Sequence, residues 1–266
     1  MDTGFTILFH SSKTMRVSSE ASLSSYSRPP LLREANEIAT YMKSLDSADI
    51  ASAMKISLPL AEKTHALVQS WKEKNHTLPA IDAFLGDMYS GLQAGSFTSG
   101  DRAYAQEHFY ILSGLYGVVR ALDCIHPYRL EMGYKLPGEP YSSLYKHWGD
   151  RIAKTLPQQR VFLNLSVPEY TKTVFPHLKD AQIITPLFLT IKEGDAKPKP
   201  VTVHSKIARG AFAHWVITQR VTSPEDLPKF DGLGYHYNPT LSTPSQPVYV
   251  TKKFQGLGLS VRQSKP

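Results

Sequence analysis

The sequence predicts an α+β protein: a single compact domain over residues 1–266, with a mixed central β-sheet flanked by helices. Three observations predict it. Short apolar runs bounded by polar turns, at 5–9, 109–113 and 160–166, read as buried strands. Longer stretches with apolar residues at helical spacing, at 31–43, 48–74, 141–156 and 205–220, read as helices. No internal repeat and no domain linker divides the chain.

Taken in order, Phe5-Thr6-Ile7-Leu8-Phe9 is the first strand, and His10-Ser11-Ser12-Lys13-Thr14 is the polar turn that ends it. Hydroxyls beside Lys13 at the carboxyl end of a strand suit an anion, although the glycines of a P-loop are missing. The ordinary alternative is a plain strand-ending turn. Residues 18–27 form a Ser-rich loop, and Pro29-Pro30 precedes a helix over 31–43. Pro59 breaks the helical stretch 48–74 into two helices joined by a tight turn. Gly86 turns the chain into Asp87, which either meets Arg120 or Arg129 or caps the helix that follows. A helix over 101–110 carries Asp101 at its start. The run 109–113 then enters the loop Ser113 to Gly117, which lacks the flanks of a G-x-S-x-G elbow and so excludes that hydrolase type.

Between Phe109 and Gly133 the chain places Arg120, Asp123, Tyr128, Arg129 and Glu131 among apolar residues. Charged groups are rarely buried unless paired, so this pattern indicates either a held functional constellation or a structural ion-pair network. Further on, 141–156 reads as one amphipathic helix with Trp148 in the core. The run 160–166 reads as a strand with Asn164 near its polar end, and the pair Glu169-Tyr170 follows. Residues 183–191 and 201–204 read as two more strands, and Ser205 as the N-cap of a helix reaching about Arg220. On that helix Lys206 and Arg209, at i and i+3, point the same way. Two cations near a helix N-terminus ask for a counter-charge, either an anionic ligand or a core carboxylate. A last edge strand is predicted at 248–252 and a loose tail at 254–266.

Composition narrows the function classes. The net charge of +7 and pI near 9.3 favour anionic partners, but no Lys/Arg block exists, so any nucleic-acid footprint must be assembled by the fold. No run of 18 apolar residues is present, which argues against a membrane partner. The first residues make a poor secretory signal, and the single cysteine, Cys124, has no internal partner; both fit a reducing cytoplasm. No CxxC, HExxH, EF-hand or GxGxxG pattern occurs, so neither a metal nor a cofactor is expected.

Four motifs, in order, carry a resemblance: AFLGDMYSGLQA (83–94), LSGLYGVVRALD (112–123), HPYRLEMG (126–133) and SKIARG (205–210). They resemble the YaaA family of peroxide-stress proteins, and the likeness runs from about Ile7 to about Lys253. In that family the first turn reads Ser-Pro-Ala-Lys-Thr; here Lys13 and Thr14 match, while His10, Ser11 and Ser12 depart. His214 stands where the family often has arginine. The resemblance implies resistance to peroxide by limiting free iron and oxidative DNA damage. It also implies DNA binding through a helix-hairpin-helix element, which would lie near Pro59, where Glu62 would repel phosphate.

Two functions follow from the sequence. In the first, DNA is the partner, held by Lys13, Lys206 and Arg209. In the second, the protein is an enzyme or binding pocket for a nucleobase, nucleoside or nucleotide, with glycosidic or group-transfer chemistry. Its catalytic candidates are Asp87, Arg120, Asp123, Arg129 and Glu131. Its ligand-binding candidates are Lys13, Thr14, Tyr89, Gln93, Ser113, Tyr116, Tyr128, Asn164, Lys206 and Arg209. A third reading has these motifs building only an unusual core.

Overall fold

The computed structural model describes residues 4–17, 27–72, 77–158, 161–194 and 196–256. In chain order the elements are β1 (Thr6–His10), β2 (Thr14–Met15), α1 (Leu32–Lys43), α2 (Ser47–Met54), α3 (Leu58–Gln69), β3 (Leu78–Pro79), α4 (Ala80–Ala83), β4 (Phe84–Leu85) and α5 (Asp87–Leu92). Next come α6 (Ser99–His108), β5 (Phe109–Ser113), β6 (Gly117–Arg120), β7 (Cys124–Ile125), α7 (Leu144–Trp148), α8 (Arg151–Thr155), β8 (Phe162–Asn164) and α9 (Pro168–Thr171). The chain closes with β9 (Ile183–Ile184), β10 (Leu187–Thr190), α10 (Thr202–Thr218), β11 (His236–Tyr237) and β12 (Val248–Thr251).

The central sheet has five strands in the order β6-β5-β1-β8-β9. β5, β1, β8 and β9 run parallel, and β6 returns antiparallel to β5, so the α+β class with a mixed sheet is observed. The parallel strands are apolar on both faces: Ile7, Leu8, Phe9, Phe109, Ile111, Leu112, Phe162 and Leu163 are all fully buried. Each such side chain contributes about 1.5–3 kcal/mol. The register puts His10 beside Leu112 and Leu8 beside Asn164, so β1, β5 and β8 end along one edge of the sheet. In parallel sheets that carboxyl edge is where ligands bind.

A second sheet, β10-β12-β11, sits under α10. Phe212 on the helix packs against Phe188, Tyr249, Phe230 and Trp215, with ring centroids 4.9–5.7 Å apart. On its other side α10 crosses α5 at two glycines. A Cβ on Gly210 would lie 2.0 Å from the Met88 carbonyl oxygen, and one on Gly91 2.1 Å from that of Ile207. Only glycine permits that approach. The crossing and the aromatic layer together fix where α10 stands relative to the sheet edge.

Several local predictions change. The 201–204 stretch is not a strand: Thr202–His204 forms the first turn of α10, despite its β-branched residues. Ser205 therefore lies inside the helix, where its hydroxyl donates to the Phe188 carbonyl (2.9 Å). The 183–191 run breaks at Pro186 into β9 and β10, which join different sheets. The 141–156 helix breaks at Gly149 into α7 and α8. β12 is the centre of its sheet and not an edge. Phe254 stacks on His204 with centroids 4.0 Å apart, and most of the predicted tail, 257–266, lies outside the described residues, as do 18–26 of the Ser-rich loop.

α2 and α3 do pack as a helix pair around Pro59, joined by a three-residue turn. The left-handed residue there is Lys55 (φ 52°), not glycine, and Glu62 is exposed on α3. The pair thus lacks the glycine turn that would bring backbone N–H groups against a phosphate. Among the described residues, no helix is long and apolar enough to cross a membrane.

Candidate functional site

The carboxyl edge of the central sheet opens into a cleft of about 380 Å³. Four segments line it: the β1 turn (His10 to Lys13), the start of α5 (Asp87 and Tyr89), the Glu131 loop with α9 (Glu169 and Tyr170), and Lys206 of α10. A larger depression of about 780 Å³ lies on the outer face of α1, beside Tyr141. Its charges are already matched, Arg33 pairing with Glu37 across it at 3.9 Å and with neighbouring Glu34 at 2.8 Å, so it offers no unmet chemistry.

One wall of the cleft is cationic. Lys206 and Arg209 sit on the same face of α10, and both act electrostatically on His10. No ion pair joins either cation to a carboxylate among the described residues. Arg209 is largely enclosed, and burial lowers its pKa from the usual guanidinium value. Burial first, then Arg209 and Lys206, lower the His10 pKa to about 3, so its imidazole is neutral at physiological pH. The ring stacks on Tyr170 (5.1 Å), and its Nδ1 lies 3.3 Å from the Ser166 hydroxyl.

The other wall is acidic. Glu131 is 9% exposed; burial and the neighbouring Glu169 raise its pKa, while Lys13, Tyr170 and Arg129 oppose the shift. Glu169 is anchored by the Gly133 N–H, which donates to its Oε1 at 2.9 Å. Asp87 begins α5, where Gly86 adopts φ 123° to turn the backbone into the helix. Between the walls, the Tyr89 hydroxyl donates to the His10 carbonyl (2.8 Å) and pins the β1 turn.

Of the residues picked out from sequence, the structure brings Lys13, Asp87, Tyr89, Glu131 and Lys206 to this cleft, and Arg209 close enough to its His10 to act on it electrostatically. Ser113 and Tyr128 are buried just behind it, their hydroxyls 2.5 Å apart. Thr14 is exposed on β2, paired with Leu85. Arg129 braces the cleft's first segment, donating from Nη1 to the Lys13 carbonyl at 3.1 Å. The expected meeting of Asp87 with Arg120 or Arg129 is absent: no ion pair joins them among the described residues.

Arg120 and Asp123 lie elsewhere. Arg120 pairs with Tyr110 in the sheet, three residues short of the carboxyl end of β5, roughly 10 Å from the cleft edge. Asp123 is fully buried and accepts from the Arg120 N–H (2.8 Å), the Ser27 hydroxyl (2.5 Å) and the Arg120 guanidinium (3.4 Å). That network closes a turn. The Tyr116 hydroxyl is in the core, accepting from the His126 N–H at 2.8 Å. Asn164 accepts from the Ser166 N–H (3.0 Å) and donates to Thr185 (3.2 Å), shaping the chain beyond β8. Gln93 is an exposed helix cap at the far end of α5. His214 packs on Phe97 and bonds the Leu92 carbonyl (2.9 Å), away from the cleft.

Lys206 and Arg209 face the cleft sideways from the second and third turns of α10, because the helix starts at Thr202. The free N–H groups of its first turn are therefore not part of their site. His10, Ser11, Glu169 and Tyr170 were not among the site residues picked out from sequence. Their signal is positional: His10 and Ser11 end β1 at its carboxyl edge, and Glu169 and Tyr170 lie on α9, the helix that follows β8.

The family model described as peroxide stress protein YaaA matches residues 5–241. A UPF0246 protein of Salinispora tropica is 47% identical over 97% of this chain and 98% of its own length. UPF0246 proteins of a Marinomonas strain and of Burkholderia lata are 40% and 37% identical, each over 91% of this chain. On these matches, the chain belongs to the YaaA peroxide-stress family, whose curated members here carry the name UPF0246.

Proposed function

We propose that the cleft binds a nucleotide-like small molecule and acts on it as an enzyme, by glycosidic or group-transfer chemistry. Lys206, Arg209 and Lys13 would hold the phosphate or another anionic group. Glu131, Glu169 and Asp87 would receive the hydrogen-bond donors of the base or sugar. The observation that carries this reading is Arg209, a largely enclosed guanidinium with no carboxylate pair among the described residues, beside exposed Lys206 and a neutral histidine. An enclosed charge is costly unless something neutralises it, and a bound anion would do so. The acidic wall opposite favours a ligand with two chemically different ends over a uniformly anionic polymer.

The peroxide-stress label and the net charge of +7 favour a second reading, in which duplex DNA is the partner and the protein limits oxidative DNA damage and free iron. Exposed Lys13 and Lys206 are its candidate phosphate contacts. Thermal denaturation across a panel of nucleoside mono- and diphosphates separates the two, run beside a mobility-shift assay with duplex DNA at low salt. A nucleotide at a hundred times its Kd stabilises the fold by about 2.7 kcal/mol. For a chain of this size that is a rise of roughly 5–10 °C in Tm. A flat panel with a salt-sensitive DNA shift supports the second reading and removes the first.

A further inference from the structure

We propose that Glu131 exchanges a proton with the ligand, and that Ser113, Tyr128, Ser11 and Tyr170 form a one-way chain of hydroxyls that holds it ready as the proton acceptor. The role in chemistry rests on the cleft being the ligand site; the direction of the chain does not.

The direction follows from counting lone pairs. The Ser113 Oγ accepts from two backbone N–H groups, Leu115 (3.2 Å) and Tyr116 (2.9 Å). A hydroxyl oxygen has two lone pairs, so Ser113 can only donate to its third partner, the Tyr128 hydroxyl at 2.5 Å. The Tyr128 proton must then point away from Ser113, toward Ser11, its other hydrogen-bonding neighbour. Ser11, receiving that proton, donates to the Tyr170 hydroxyl at 3.1 Å. Tyr170 is left to donate to the Glu131 carboxylate. Ser113 and Tyr128 are buried behind the cleft, and Ser11 and Tyr170, which line it, are only 4% and 1% exposed.

The consequence is a carboxylate supplied with a fixed donor against two opposing influences, burial and Glu169. The other groups around it are Lys13 and Arg129, Tyr89 and Tyr128, with Asp87 and Lys206 lining the same cleft. In the reaction a ligand O–H or N–H would give its proton to a Glu131 oxygen, the bonding pair staying on the ligand heteroatom. The chain cannot carry that proton inward, because Ser113 has no lone pair left to accept one. Glu131 must therefore hand the proton back to the ligand's leaving group or to solvent at the cleft mouth. Glu131 is the catalytic candidate here; the four hydroxyls are positioning residues.

The test is a carboxyl-carbon NMR titration of the free protein, with the Glu131 resonance assigned by its loss in Glu131→Gln. Tyr170→Phe removes the last donor and should raise the Glu131 pKa by about one to two pH units. Ser11→Ala should shift it the same way by less, and it serves if Tyr170→Phe does not fold. The backbone amide spectrum of each variant reports whether its fold is intact. A Glu131 pKa unmoved in a folded variant overturns the chain. A shift without nucleotide binding in the thermal panel leaves the chain standing and removes the ligand reading.

Discussion

Replacing Gly210 by alanine tests how α10 is held over the cleft. The new Cβ would sit 2.0 Å from the Met88 carbonyl oxygen, 2.6 Å from the Leu92 nitrogen and 2.9 Å from the Gly91 carbonyl carbon. All three are backbone atoms of the facing helix, so no side chain can swing aside. Restoring van der Waals contact requires α5 and α10 to separate by about 1 Å. Overpacking of this kind costs roughly 1–3 kcal/mol, and a clash against backbone belongs at the top of that range or above it. Alanine returns about 1 kcal/mol in helix propensity. The net loss is therefore about 2 kcal/mol or more, a fall of roughly 4–8 °C in Tm for a chain of this size. Gly91→Ala should do the same, since its Cβ would lie 2.1 Å from the Ile207 carbonyl oxygen. Gly95→Ala is the control, because nothing lies within 4 Å of its Cβ. Differential scanning calorimetry of the three variants reads the result. If Gly210→Ala melts with the parent and the control, the helices are not held at this distance and the placement of Lys206 and Arg209 is wrong.

Three further outcomes follow from the same structure. Arg209→Met should leave Tm unchanged or raise it, because it removes an enclosed charge with no carboxylate pair among the described residues; thermal melts without ligand check this. Asp123→Ala should cost roughly 3–5 kcal/mol in chemical denaturation, since it strips acceptors from Ser27 and Arg120, yet leave ligand affinity of the folded protein intact. His10 is neutral when folded, with its pKa lowered to about 3, but titrates near 6.5 when unfolded. Between pH 7 and 5 the unfolded state therefore takes up a proton that the folded state refuses, and stability falls as pH falls. His10 should contribute about 2 kcal/mol to that loss, seen as a flatter pH dependence in His10→Gln.

Some of this arrangement was legible in the sequence. The first strand, the 31–43 helix and the Pro59 break are local features, set by apolar spacing and by proline's missing N–H. The β-branched stretch at 201–204 misleads because tertiary packing of α10 overrides its strand propensity. The 183–191 run hides its break because both halves are apolar and only Pro186 separates them. At or beside the one cleft, Lys13 stood out as a cation at a strand end, Lys206 and Arg209 as a cation pair on one helix, and Asp87 and Glu131 as charges in apolar surroundings. Arg120 and Asp123 stood out for the same reason but are partners at i and i+3, a pairing that spacing alone also allows. His10 and Tyr170 were read only as parts of a polar turn and of a pair beyond a strand, because spacing alone does not show that β1 and β8 end side by side.

The most direct test of the cleft as a ligand site is calorimetric titration of the parent and of Arg209→Met with the nucleotide that stabilises the parent most. Saturable binding by the parent and at least a tenfold loss in the equally stable variant is the predicted result. Equal affinity in the two proteins would place the bound anion away from Arg209 and contradict the account.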